Sequence, residues 1–304
     1  MSTSQDARRA FAGAVAAEEI VILPGIQDAL SARLAQLAGA KALYAGCYAL
    51  HAGLLGEPDF GQLGLAELTE HYRRICARTS LPVLAEAGPS PADTTQIGRA
   101  VRLMEQAGIA GLVLEDQLAP RRSGLAGGKK LIPVVEMLAR LKAALDARQE
   151  NMMIVARTGA REIEGLEAAT ERAQLYRAAG ADMLIVEAPL NAEEMSYICA
   201  EIPGPCLASV TEGGRSPALP AYVLEEIGYA AVAFPTAATF LAAQIWTRFY
   251  AGIVKSGDSS IFGGEMLPLN ALNEVLGLAA IQETERRSHA YAIGLLERAA
   301  QDEE

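Results

Sequence analysis

Charged and polar side chains recur in this chain just after short apolar runs: Tyr44-Ala45-Gly46, Glu86, Glu115-Asp116, Arg157-Thr158, Glu187, and Ser209 with Glu212. If the runs lie side by side, these residues meet at one rim. Carboxylates gathered there repel one another unless protons or a cation intervene, which points to a divalent ion. An all-oxygen ligand set selects Mg²⁺ or Mn²⁺. The alternative is that the carboxylates pair with Arg157, Arg121 or other arginines of the same rim.

The elements that must position these residues are legible as eight runs: Val21–Leu23, Ala42–Tyr44, Pro82–Leu84, Gly111–Leu114, Met152–Val155, Met183–Val186, Cys206–Ala208 and Ala230–Phe234. Continuous apolar runs alternating with helical patterns are what a parallel sheet buried on both faces requires. Eight such units predict an α/β fold, a single (β/α)8 barrel, with its chemistry where the strands end. Helices are expected at about 65–79, 92–107, 134–148, 166–179, 192–201, 220–227 and 238–254. Gly108, Gly180 and Gly228 stand where a left-handed residue closes a helix with little strain. Between the fourth run and its helix lies a long connection, Gln117 to Ile132, carrying Arg121, Arg122, Lys129 and Lys130. Its length and charge predict a lid over an anionic site.

Residues 1–255 are therefore expected to form the barrel with an N-terminal helix, and 256–304 a helical tail. The tail's Leu272, Val275, Leu276 and Leu278 need a surface to bury against. Either a neighbouring subunit in a homo-oligomer, a dimer or tetramer, or the chain's own barrel would supply it.

A net charge of −11 over 304 residues leaves no basic face for phosphates, which argues against nucleic acid and for a small-molecule substrate. Cys47, Cys76, Cys199 and Cys206 show neither disulfide-framework nor zinc spacing, as expected of a reducing, cytoplasmic setting. Arg8-Arg9 precedes an apolar stretch that is short, Ala-rich and runs into Glu18-Glu19, so it does not read as a leader. No stretch is long enough for a membrane span. His51, His71 and His289 form no visible pair, and Gly127-Gly128-Lys129 lacks P-loop spacing.

Several motifs in order carry a resemblance. Pro24-Gly25-Ile26-Gln27-Asp28-Ala29-Leu30-Ser31-Ala32, Gly56-Glu57-Pro58-Asp59, Leu114-Glu115-Asp116-Gln117, Ala156-Arg157-Thr158, Val186-Glu187-Ala188-Pro189 and Thr211-Glu212-Gly213-Gly214 resemble the isocitrate lyase and phosphoenolpyruvate mutase superfamily from about Ile20 to the C-terminal helices. In that superfamily Mg²⁺ and an arginine hold a 2-oxo acid or enolate while a C–C or C–P bond is made or broken. The resemblance implies that Arg157 binds the substrate carboxylate or enolate oxygen. It places Asp59, Glu86 and Glu115 around Mg²⁺ or Mn²⁺. Tyr44, Gly46, Cys47, Ser209 and Glu212 fall on the substrate side, Gly46 and Cys47 through backbone N–H groups, and Glu187 at the same mouth.

Departures from the family pattern bear on the reaction. The Asp-Ala-Asp-Thr-Gly metal segment reads Glu86-Ala87-Gly88-Pro89-Ser90, so one carboxylate is lengthened and the second is Gly88. The lyases' Lys-Arg-Cys-Gly-His segment reads Arg121-Arg122-Ser123-Gly124-Leu125, which puts Ser123 at the position of the cysteine acid. A hydroxyl is a far weaker acid than a thiol. The mutase's Asn-Ser pair is absent, Arg-Thr-Asp becomes Arg157-Thr158-Gly159, and an Asn before Thr211 becomes Ser209. The expected function is an Mg²⁺-dependent enzyme acting on a small 2-oxo or 2-hydroxy carboxylate through an enolate, a C–C lyase or decarboxylase. The alternatives are phosphonate mutase or hydrolase chemistry, or a non-catalytic binding barrel.

Overall fold

The computed structural model describes residues 4–88, 93–122 and 128–302. Helix α1 (Ser4–Val15) leads into β1 (Val21–Pro24), α2 (Ala29–Leu37), β2 (Leu43–Ala45), α3 (Cys47–Leu54) and α4 (Leu65–Cys76). Then come β3 (Val83–Glu86), α5 (Thr94–Ala107), β4 (Gly111–Glu115), α6 (Val134–Ala147) and β5 (Met153–Thr158). They are followed by α7 (Ala160–Ile163), α8 (Leu166–Ala178), β6 (Met183–Val186), α9 (Ala192–Glu201), β7 (Leu207–Ser209), α10 (Ala221–Ile227) and β8 (Ala231–Phe234). The remainder is α11 (Ala237–Ser256), a 3-10 segment (Ser260–Glu265), α12 (Leu269–Leu276) and α13 (Leu278–Asp302).

Each of the eight apolar runs forms a strand, and these strands pair in parallel as two sheets, β2-β3-β4-β5-β6 and β1-β8-β7. Single parallel bridges, Gly25 to Tyr44 and Leu184 to Cys206, link the two sheets at both seams. Alternation along the strands divides the core in two. Leu43, Ala45, Val83, Ala85, Leu112, Ile154, Leu184 and Val232 join the larger cluster with helix residues such as Leu68, Met104, Leu141 and Tyr176. Val21, Leu23, Tyr44, Leu84, Val113, Val155, Ile185, Leu207 and Ala233 form a second cluster fed by all eight strands, with Phe11 and Val15 of α1 packed on it. Successive strand side chains point to opposite faces, so a period of two produces both layers.

Helix ends follow local chemistry. Gly108, Gly180 and Gly228 take φ of 96°, 106° and 113°, as the sequence implies. Asp28, Asp93 and Asn191 cap α2, α5 and α9 by accepting backbone N–H bonds at their first turns.

The chain separates into two compact units, Met1–Ile245 and Trp246–Glu304. The division falls inside α11, upstream of Ser256. Within the second unit Phe249 packs on Tyr250 and Phe262, and Gly277 (φ 80°) divides the helical tail into α12 and α13. Leu269 and Leu296 are 75% and 73% exposed. Among the described residues no helix is long and apolar enough to cross a membrane.

Candidate active site

The charged layer is the next step of the same alternation. Leu84, Val113, Val155, Ile185 and Leu207 belong to the inner cluster, and two residues beyond each stand Glu86, Glu115, Arg157, Glu187 and Ser209. Side chains at i and i+2 share a face, so these five rise from the inner layer toward the strand ends. Glu115 sits directly across from Arg157 in the β4–β5 register.

Glu86 is the most heavily engaged of them. Its Oε1 accepts from the Tyr44 hydroxyl (2.9 Å) and Arg157 Nη1 (2.7 Å). Its Oε2 accepts from the Cys47 backbone N–H (3.0 Å), at the start of α3, and pairs with Arg121 Nη2 (2.8 Å). Burial opposes the charge, but Arg121 and Arg157, with the Cys47 N–H and the Tyr44 hydroxyl, more than offset it and hold the carboxyl well below its usual range. Burial and the Glu86 charge push the Tyr44 phenol and the Cys47 thiol well up, so both stay neutral. Arg157 also donates to Glu115 through Nε (2.7 Å) and Nη2.

Arg121 reaches the same place from the long connection. Its Nη1 lies 3.2 Å from Asp59 Oδ2, its Nη2 2.8 Å from Glu86 Oε2 and its Nε 3.0 Å from Glu115 Oε1. The base of that connection is tied down by a Gln117–Leu131 bridge and by the Leu118 N–H to the Lys130 carbonyl (2.7 Å). The returning arm places Lys129 Nζ 2.9 Å from Glu187 Oε2 and 3.7 Å from Glu162 Oε2. Glu187 and Arg157 Nη1 stand 3.5 Å apart. The Glu187 charge raises the Lys129 pKa against burial; burial opposes the Glu187 charge, but Lys129 and Arg157 outweigh it and lower that carboxyl's pKa.

These side chains border a cavity of about 130 Å³, whose wall includes Gly46, Tyr48, Arg121, Lys129, Arg157, Glu187, Ser209, Arg215, Thr236 and Phe240. The room suits an acid of a few heavy atoms, with cations on one wall and the Tyr48–Phe240 ring pair (centroids 5.8 Å apart) on another.

The sequence-derived residues fare differently. Arg157, Glu187, Gly46 and Ser209 line the cavity, and Asp59, Glu86 and Glu115 lie together against Arg121. Three substrate contacts need correction. The Cys47 N–H is taken by Glu86, and Tyr44 lies beneath Glu86 as its hydrogen-bond donor. Glu212 is not on the cavity wall; it accepts from Thr236 Oγ1 at 3.0 Å. Ser123 and Leu125, like Pro89 and Ser90, lie outside the described residues. His51, fully buried, has Nε2 3.5 Å from Asp59 and Nδ1 on the Cys47 carbonyl, an internal strut. Lys129, Arg215, Glu162, Tyr48 and Phe240 were not singled out for the site. The basic charge of the 117–132 connection was the one signal for Lys129, and nothing local marks the others.

The three carboxylates assigned to a divalent ion are together, but the cation among them is a guanidinium. Glu86 accepts three hydrogen bonds, from Tyr44, Arg157 and the Cys47 N–H, and its remaining polar neighbour is the Arg121 guanidinium at 2.8 Å. Among the described residues no group of His, Cys, Asp and Glu is arranged to hold a metal ion. The set does not fit Mg²⁺ in this arrangement. The pairing with Arg121 and Arg157, given above as the alternative, is what the side chains adopt.

Comparison with known proteins accords with this architecture. The family model for phosphoenolpyruvate phosphomutase matches residues 12–253. The chain is 34% identical to 2,3-dimethylmalate lyase of Eubacterium barkeri, over 91% of this chain and 95% of that one. It is 40% identical to a probable 2-methylisocitrate lyase 2 of Corynebacterium glutamicum, over 75% and 74%. The solved oxaloacetate acetylhydrolase in complex with the inhibitor 3,3-difluorooxalacetate superposes with a TM-score of 0.89 at 26% identity, covering 95% of this chain and 99% of that chain. With motifs, strand order and charged rim all in accord, the chain belongs to the phosphoenolpyruvate phosphomutase family, within the isocitrate lyase and phosphoenolpyruvate mutase superfamily, as an enzyme of lyase type.

Proposed function

We propose that the eight strands close as one (β/α)8 barrel and that its rim cleaves a C–C bond in a small 2-hydroxy or 2-oxo carboxylate, by lysis or decarboxylation, through an enolate. The observation that carries this is the convergence of Arg121, Arg157 and Lys129 on a cavity of about 130 Å³ above an apolar inner layer. Arg157 and Arg121 each keep N–H groups beyond those bound to Glu86, Glu115 and Asp59, and these would hold a substrate carboxylate and the oxygen on which enolate charge develops. Glu187, ionised at the cavity wall, is placed to accept a hydroxyl proton. Lys129, held protonated by Glu187, adds positive charge on the same side. The ring pair Tyr48 and Phe240 would shield the substrate's apolar end from water. The relatives act, by their names, on a methylated dicarboxylic acid, a methylated tricarboxylic acid and oxaloacetate, which fits a cavity with a cationic wall and a small apolar wall.

The test is product detection by NMR with 2,3-dimethylmalate, 2-methylisocitrate and oxaloacetate. Expected is release of a 2-oxo acid from at least one of the branched acids or loss of CO₂ from oxaloacetate. Arg157→Ala should lower kcat by about 10²- to 10³-fold, the scale of losing one oxyanion donor. No turnover of any of these acids would remove the lyase reading.

The second unit enters the proposal as an assembly element. Val254, Leu269, Ile281, Tyr291, Ile293 and Leu296 are all more than half exposed within one chain, which supports burial against a second copy in a homo-oligomer.

A further inference from the structure

We propose that Arg121 is the resident cation of this site: its guanidinium takes the position between Asp59, Glu86 and Glu115 that the superfamily gives to a divalent ion, and the site binds its substrate with N–H groups and no metal. The inference rests on the lyase reading above and names how that reaction's oxyanion is held.

Three observations carry it. First, carboxylates from three separate elements converge on one guanidinium. Asp59 comes from the segment before α4, Glu86 from the end of β3 and Glu115 from the end of β4, and all lie 2.8 to 3.2 Å from Arg121 nitrogens. All are buried, as is Arg121 at 8% exposure. A guanidinium stays charged at every pH the fold would meet, so only physical displacement could clear the position. That displacement would break three buried ion pairs.

Second, Glu86 has four polar partners, and two of them are a backbone N–H at the start of a helix and a buried tyrosine. A divalent ion bound directly to this carboxylate would compete with those donors and with the Arg121 guanidinium for its two oxygens.

Third, the position of the second carboxylate in the family's metal segment is a glycine, and its surroundings are fitted to one. Gly88 has φ of +78°, and a Cβ built on it would stand 2.3 Å from Leu68 Cδ1. Leu68 is fully buried in the larger core cluster. The backbone and packing at this corner are thus adapted to having no side chain there.

A guanidinium holds an oxyanion differently from an ion. It cannot chelate, but its planar fork offers paired N–H groups to two adjacent oxygens. Three Arg121 nitrogens lie within 3.2 Å of carboxylate oxygens, its Nε makes no hydrogen bond to any of them, and Arg121 and Arg157 border the same cavity, where their N–H groups can turn to a bound anion. The substrate class this favours is a planar 1,2-dioxygen face, such as a 2-oxo carboxylate or its enolate.

The test uses the intact protein, stripped with EDTA and returned to metal-free buffer. Mn²⁺ binding is read by electron paramagnetic resonance, and binding of oxalate, a planar dianion with the outline of the enolate, by calorimetry with and without Mg²⁺. Expected is no stoichiometric Mn²⁺ at millimolar concentration and an oxalate affinity that Mg²⁺ changes less than about two-fold. Arg121→Ala should gain about one equivalent of Mn²⁺, because three buried carboxylates then lack their cation, and its oxalate binding should become Mg²⁺-dependent. Should that variant fail to fold, Arg121→Gln serves, being neutral and closer in size.

About one equivalent of Mn²⁺ on the parent protein, with oxalate binding at least about ten-fold tighter in Mg²⁺, would overturn the proposal. So would a folded Arg121 variant that still takes up no Mn²⁺, since the carboxylates would then not constitute a cation site. Absence of turnover with the binding results as expected would instead overturn the lyase reading alone.

Discussion

Glu86 shows how much one side chain can be asked to hold. It anchors the start of α3 through the Cys47 N–H, fixes Tyr44 beneath it and joins two guanidinia. From sequence, Glu86→Gln is a mild change that removes charge and little volume. In the structure it is severe: a Gln keeps one oxygen and presents an NH₂ where acceptors are needed, leaving a buried arginine short of its counter-ion. Breaking one partner of a buried ionic network costs roughly 3–5 kcal/mol. Urea unfolding should show a loss on that order for Glu86→Gln, while Glu212→Gln, outside the cavity wall, should stay within about 0.5 kcal/mol of the parent.

At the level of elements, the two arms of the 117–132 connection are clipped to the strand ends, one by Arg121 and the other by Lys129 on Glu187. The pH dependence of the second clip follows from its two partners. The Glu187 pKa is lowered below its ordinary 4.5, so the stabilisation is complete above that value and drains away as pH falls beneath it. The Lys129 pKa is raised above 10.5, so the clip survives on the alkaline side until past that point. Amide hydrogen exchange of residues 128–132, corrected for intrinsic rates, should be flat between about pH 5 and pH 9 and accelerate below, and Lys129→Met should abolish the acid step.

How far the sequence foretells these elements depends on range. The strands were readable because apolar runs mark them, and the rim residues because Glu86, Glu115 and Arg157 stand two places beyond Leu84, Val113 and Val155. The glycine caps were readable for the same local reason. What periodicity cannot convey is pairing across the rim. That Arg121 enters among Asp59, Glu86 and Glu115, and that Glu86 engages the Cys47 N–H, depends on how a long connection and a helix start fold back over strands remote in sequence. The expectation of a metal rests on the carboxylates at the rim and on the family resemblance, neither of which conveys that the Arg121 guanidinium comes to lie among them.

For the whole molecule, the second unit carries large exposed apolar side chains, Val254, Leu269, Tyr291 and Leu296 among them, on helices that are otherwise rich in charge. The homo-oligomer proposed above would cover them with a second copy. On that proposal, deleting residues 257–304 should yield a smaller, aggregation-prone species in light scattering coupled to size exclusion. A truncated protein with unchanged assembly and solubility would contradict that role.

The corner at Gly88 carries a consequence of another kind, for descent. If an ancestor carried the family's aspartate there, its loss is a single substitution, whereas the return first meets Leu68, whose Cδ1 would stand 2.3 Å from a new Cβ on a backbone at φ of +78°. On the proposal that Arg121 is the resident cation, regaining a metal would call for changes at position 88, Leu68 and Arg121 in concert. Descent at this site would then run more easily forward, around a guanidinium, than back.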